Sequence, residues 1–421
     1  MGVAAKYSEA HSLKGNEVQI GGVYPFRDVS TQTGERQPKY LKQGDRSAAI
    51  RNMRRTMFEP DLRWVDPTRT FEFDTTIRML TLTSGRIFHD VVIEFYASVY
   101  PTGFCSIVFW MEFGNESIEA DELIELTGIA RGTKERIDHA KISEIALVLG
   151  NEYRRFANCV ELCETFEADL LGNEIDVRRE KQPRFIYPIV YIGSVAGCGS
   201  VMEIMKKHPY SITAVAHLWI QDRMAAKDRE IDDTLLADVH PFQYGYTIVA
   251  QNCVAEYHPR ELVEKASIVE KKSLHQHHFS ERTYLSFLVE YPICHYYALR
   301  CFDSEVDSIN TQPILDDRWP LDPARLLQLV RRLVEVSAVR ERLTMGLANF
   351  KGPFLKRRSY VRRVNKYFDE FLGISALESV VQEKVKVLSQ AIETGFRTLT
   401  AVFALVVSLV ALVLTIARLW K

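Results

Sequence analysis

The 421-residue chain lacks a surplus of charge of either sign: 53 Lys and Arg stand against 55 Asp and Glu, a formal net charge of −2. No global field draws it to nucleic acid, so any anion binding has to come from a local cluster. It also lacks paired cysteine motifs. Its seven cysteines are odd in number and form no C-x-x-C. That excludes a disulfide framework and a standard zinc site, and reads as buried thiols in a reducing compartment. G-x-S-x-G, H-E-x-x-H and the kinase motifs are missing too. The first residues, MGVAAKYSEAHSLKGNEV, hold no apolar core of signal-peptide length. The expectation is a chain whose bulk lies in the cytoplasm.

What is present in excess is one hydrophobic run. Between Arg397 and Arg418 stand 20 uncharged residues, TLTAVFALVVSLVALVLTIA, twelve of them Leu, Ile, Val or Phe. A helix of that length spans about 30 Å, the hydrocarbon thickness of a bilayer. On insertion scales the twelve contribute roughly −4 to −7 kcal/mol. The run predicts a single transmembrane helix over 398–417, acting as a C-terminal anchor. Ala401, Ala404, Ser408, Ala411 and Thr415 recur along it at spacings of three and four. Such a stripe of small side chains lets helices approach closely in lipid and suits a homo-oligomer. Alanine is also simply common in such helices.

Upstream, Ser375 and Glu378 have capping-box spacing, and Val381, Val385, Leu388 and Ile392 form a short coiled-coil-like seam. A stalk helix over 376–397, continuous with the span, follows. Asp322-Pro323 opens another helix, with Leu326, Val330, Leu333, Val336, Leu343 and Leu347 along one side. The segment 351–366 has seven basic residues and no acidic one, among them Lys356, Arg357, Arg358, Arg362, Arg363 and Lys366. Beside an anchor this suits anionic headgroups; it equally suits a solvated face, and less well an anionic small ligand or nucleic acid. The spacing predicts a helical bundle over 322–375.

Residues 46–310 read as a mixed α+β soluble domain, and 1–45 as a polar, disordered arm. Val91 to Val99 and Cys105 to Phe113 alternate with period two around a Tyr-Pro-Thr-Gly turn, a β-hairpin with one face buried. Thr70–Leu82 adds a strand, 138–172 reads as one helix, and Phe185–Ile192 as another strand. Three weak sites stand out. Gly193, Gly197, Gly199 and Ser200 lie between a strand and a helix, the layout of a phosphate-cradling loop or of a plain tight turn. His275, His277 and His278 are dense enough for a transition metal, or form an exposed polar turn. Asp228, Glu230, Asp232, Asp233 and Asp238 form an acidic run without calcium-loop spacing. No cofactor is indicated.

The layout of a soluble α/β domain, a helical bundle and a stalk entering the membrane resembles CorA-type magnesium channels over residues 322–421. That family has two spans joined by a loop beginning Gly-Met-Asn; here there is one span, and Met345-Gly346 is the reverse order. The resemblance implies an oligomeric channel subunit. The residues themselves point first to a membrane-anchored, self-associating, non-enzymatic sensor, scaffold or membrane effector. A membrane-tethered enzyme acting on a nucleotide or phosphate ester is the second reading.

Overall fold

The computed structural model of the chain describes residues 13–27, 38–42, 69–100, 103–114, 116–132, 144–171, 184–218, 245–309, 323–350 and 359–420. Among them are ten strands: β1 (Lys14–Arg27), β2 (Arg69–Thr81), β3 (Ile87–Val99), β4 (Phe104–Glu112), β5 (Ile118–Glu119), β6 (Glu144–Leu149), β7 (Glu152–Phe156), β8 (Tyr187–Val195), β9 (Tyr246–Val249) and β10 (Val254–Pro259). The nine described helices are α1 (Ala120–Arg131), α2 (Cys159–Leu171), α3 (Val201–Lys207), α4 (Pro209–His217), α5 (Arg260–Glu270), α6 (Leu274–Asp307), α7 (Pro323–Phe350), α8 (Ser359–Leu372) and α9 (Ile374–Leu419). The class is mixed α+β. The chain divides into a first unit, Met1–Tyr297 with Pro353–Ile374, and a second, Ala298–Gly352 with Ser375–Lys421.

The first unit is organised by one mixed sheet in the order β7-β6-β2-β3-β4-β1-β8-β10-β9, with β5 pairing β1. Only β8 and β10 run parallel; the other named pairs are antiparallel. Successive side chains of a strand point to opposite faces, so alternation in the sequence becomes a two-faced sheet. Ile20, Tyr24, Ile93, Phe95, Ile107, Phe109, Val190, Ile192, Ala255 and Tyr257 fall on one face. They form a continuous apolar core with Leu123, Leu126, Leu162 and Phe166 of α1 and α2 and Ile212 of α4. Each Val, Leu, Ile or Phe side chain among them contributes about 1.5–3 kcal/mol relative to exposure. The intervening residues are different: Gln19, Glu94, Ser106, Tyr191, Glu256 and His258 are buried and polar. They meet α6.

Two expectations give way here. Residues 14–27 are not part of an arm: they form β1, paired with β4 on one side and β8 on the other. Gly15, Gly21, Gly22 and Pro25 gave the segment the composition of a loop. Two of those glycines are needed where they stand, since a Cβ on Gly21 would lie 2.7 Å from the Trp110 ring, and one on Gly22 would meet Phe109. Pro25 pairs with Ser106 beyond the end of the β8 ladder, which stops at Val23, so its missing N–H breaks no bond there. Nor is 138–172 one helix. Ile145, Leu147 and Leu149 alternate in β6, a two-residue turn at Gly150-Asn151 reverses the chain into β7, and α2 starts only at Cys159. Gly150 takes a φ of 62°, the left-handed region in which glycine is strain-free.

In the second unit, the last turns of α6 meet α7 and α9. Arg342 bonds Glu305 at 2.8 Å, and Lys384 bonds both Asp303 and Asp307 at 2.6 Å. On α7 the buried side chains are Leu329, Leu333, Val336, Leu343 and Leu347, whereas Val330 is 40% exposed. The expected stripe is therefore turned by one residue at its start. On α9, Val381, Leu388 and Ile392 are buried. Gly373, at a φ of 65°, separates α8 from α9. The unit boundary also parts α7 from α8: the described end of the basic segment belongs to the first unit, where Phe368 packs on Tyr187 at 5.0 Å.

α9 runs for 46 residues, about 69 Å at 1.5 Å per residue. Among the described residues it is the one helix long and apolar enough to cross a membrane, and 6% of its most apolar window is buried.

Candidate functional site

The sheet's polar face and the first turns of α6 build the most chemically loaded site described. His277 and His278 are buried, not displayed on an exposed turn. They open a helix instead, after Ser273, whose hydroxyl accepts from the backbone N–H of Gln276. Helical spacing then carries His278, Glu281 and Arg282 toward the sheet.

His278 Nε2 lies 3.0 Å from Glu17, and its Nδ1 lies 2.7 Å from the Tyr191 hydroxyl. That hydroxyl donates to Glu281 at 2.9 Å. Glu281 also lies 3.0 Å from His277 Nε2 and 3.6 Å from His258 Nε2. His258 Nε2 is 3.0 Å from Glu256, and His277 Nδ1 is 3.2 Å from Glu270. The groups form one connected acid–base network. Its ends, Glu17 and Glu270, reach solvent, while Glu256 and His258 are fully buried.

Backbone geometry makes room for it. Glu17 itself adopts a φ of 54°. A Cβ on Gly193 would lie 2.9 Å from the Glu17 Cβ and 3.0 Å from the His278 ring, and one on Gly245 would lie 2.7 Å from the His258 ring. Gly193 is thus a strand residue required for close approach, not a loop glycine.

Burial and partners pull the network's acids in opposite directions. Burial pushes the Glu256 carboxyl up to about 7, against the opposing pull of His258. Burial also works to raise Glu281, but His258, His277 and Tyr191 outweigh it and hold it below the usual carboxylate range. The hydrogen bond from His278 lowers Glu17. For His277 burial favours the neutral ring, and Glu281 with Glu270 reverses this, raising it. Tyr191 is driven well above its ordinary value by burial.

A second polar row continues along the same helix face. Arg282 bonds Gln19 at 2.8 Å and pairs with Glu94; Ser286 accepts from the Trp110 indole at 2.9 Å; Glu290 accepts from Tyr100 at 2.6 Å and from Ser106. His278, Arg282, Ser286 and Glu290 fall every fourth residue, one stripe of an α-helix. That spacing is the signal by which the row could have been read.

The other expected sites separate. His275 is exposed and stands 3.9 Å from Glu112, apart from its two neighbours. Among the described residues no three His, Cys, Asp or Glu side chains are arranged to hold a metal ion. Gly197 forms a turn at a φ of 72°, and Ser200 caps α3 by accepting from the Glu203 N–H at 3.3 Å. The Gly199 N–H donates to the Glu203 carboxylate at 3.0 Å, and the Glu261 carboxyl would lie 3.4 Å from a Cβ at Gly199. A phosphate there would meet two acids, so the loop is a capped turn. Burial pushes the Cys253 thiol up to about 12 and raises Cys159 and Cys163 as well, which disfavours thiolate nucleophiles there.

Arg363 and Lys366 are exposed on α8, with Lys366 3.4 Å from Glu370. Lys356, Arg357 and Arg358, the side chain of Arg362, and the acidic run 228–238 lie outside the described residues. Ala401, Ala404, Ser408, Ala411 and Thr415 are all exposed on α9. No family model matches the chain, and no curated protein is significantly similar to it.

Proposed function

We propose that the protein is a membrane-anchored, self-associating, non-enzymatic sensor or membrane effector, with its soluble domain in the cytoplasm. The observation that carries this reading is the character of α9, an unbroken helix whose apolar side chains, such as Phe403 at 71% and Val413 at 61%, face outward. Large apolar side chains exposed in series need a partner other than water, and 398–417 has the length that lipid requires. The seven cysteines form no disulfide, which suits a reducing compartment. The basic residues before α9, among them Arg363 and Lys366, suit anionic headgroups on that side.

α6 supplies the sensing logic. One helix carries the buried acid–base network near its start and, near its end, the acids Asp303, Glu305 and Asp307 that bond α9 and α7. In this reading α9 is stalk and span together, and copies meet along Ala401, Ala404, Ser408, Ala411 and Thr415. The phosphate-ester enzyme reading loses support, because the glycine loop offers an anion two carboxylates. The test is chemical crosslinking of the full chain in membranes. The Ala404→Leu, Ala411→Leu variant is expected to shift crosslinked oligomers to monomers at least several-fold; unchanged assembly overturns the oligomer face.

A further inference from the structure

Two buried carboxylates share one imidazole in the network under α6. His258 Nε2 stands 3.0 Å from Glu256 and 3.6 Å from Glu281, with Glu256 and His258 fully buried. Around them stand Glu17 from β1, Tyr191 from β8, Thr247 from β9, Glu270 from α5, Lys272 beyond it, and His277 and His278 from α6 itself. Arg260 of α5 acts on Glu17 through its charge. Among the described residues, Glu256 has only His258 and Thr247 as polar neighbours that act on it by hydrogen bonding. We infer that this network is a proton-operated latch: a proton held between Glu256, His258 and Glu281 keeps the first turns of α6 on the sheet, and its loss releases them.

The physical reason is the count of charges in a dry site. With the extra proton, one carboxyl of the pair is neutral and the imidazole answers the other. Without it, both carboxylates are charged. Glu281 keeps His277 and Tyr191, while the fully buried Glu256 has only its share of His258 to answer its charge, and an incompletely compensated charge away from water is costly. The sign follows from linkage. Glu256 is raised from its ordinary 4.5 to about 7, so the folded state holds a proton there that the unfolded chain has released. Its stabilisation is therefore present below about 4.5 and is lost as pH rises toward 7. His277, also raised, acts in the same direction above its ordinary 6.5. Glu17, Glu270 and Glu281 are lowered, and their stabilisation is lost only as pH falls below about 4.5. Between mildly acidic and mildly alkaline pH, the Glu256 and His277 shifts are the ones that act, and both loosen the latch as protons leave. The next polar contact along α6, Arg282 with Glu94, has no imidazole, so release is confined to the first turns.

The latch stands on the soluble unit; only its consequence for the membrane rests on the sensor reading. The experiment is amide hydrogen exchange on the full chain in liposomes at pH 6.0 and pH 8.0, corrected for the intrinsic rate. Protection over residues 274–284 is expected to fall at least tenfold at pH 8.0, while α1 on the opposite face keeps its own. Equal protection of 274–284 at both pH values overturns the latch, and so does a matching fall in α1, which would mean general unfolding. In Glu256→Gln, which mimics the protonated acid, protection at pH 8.0 is expected to stay at the pH 6.0 level; an undiminished fall overturns the assignment. The wild-type comparison decides the matter even if that variant fails to fold. Residues 375–397 are read in the same experiment. A latch that opens while they stay unchanged keeps the latch and overturns its role in the sensor.

Discussion

α6 and α9 break the ordinary distribution of side chains in opposite senses. α6 buries His278, Glu281, Arg282 and Glu290, while α9 exposes Phe403, Leu412, Val413 and Ile416. Buried polar groups and exposed apolar series are the informative departures from the usual rule. In α6 the departure is resolved inside the chain, because the sheet face opposite it supplies Glu17, Gln19, Glu94, Tyr191 and Ser106 as partners. In α9 the described residues leave most of the apolar stretch uncovered, and the reading proposed above answers it with lipid. The difference teaches that a helix cannot be assigned its surroundings from apolar content alone; what matters is whether its departures are answered within the fold.

The comparison can be broken first at α6. Arg282→Met removes the guanidinium that answers Glu94, leaving a buried carboxylate without its cation, and the expected loss is about 3–5 kcal/mol. Denaturant unfolding of the full chain measures it, and a loss within experimental error would mean that water reaches this face. The smaller effect is on the α9 side. Lys384 is 30% exposed in its bonds with Asp303 and Asp307. Lys384→Ala is expected to cost about 1 kcal/mol or less, as partly solvated ion pairs do. The same unfolding curves read it, and a loss as large as that of Arg282→Met would erase the distinction between an internally answered helix and an externally answered one.

Much of this contrast was legible in the residues. The unbroken run before Arg418 marked α9, and alternation marked β3 and β4. β1 was hidden because Gly21 and Gly22 serve Trp110 and Phe109, residues nearly 90 positions away, and composition cannot report that pairing. β6 and β7 were hidden because Ile145, Leu149 and Phe156 satisfy a helical spacing as well as a strand spacing. The histidines stand out in the sequence, but their burial does not, since their partners Glu17, Tyr191 and His258 come from β1, β8 and β10. A site assembled by sheet order has no local signature.

Flotation of the intact protein with lipid vesicles in a density gradient tests the central claim most directly. Insertion of 398–417 predicts that the full chain rises with the vesicles and stays with them through alkaline carbonate. A chain that remained in the aqueous fraction as a monodisperse species would mean that its apolar helix is covered by protein, and would contradict the account.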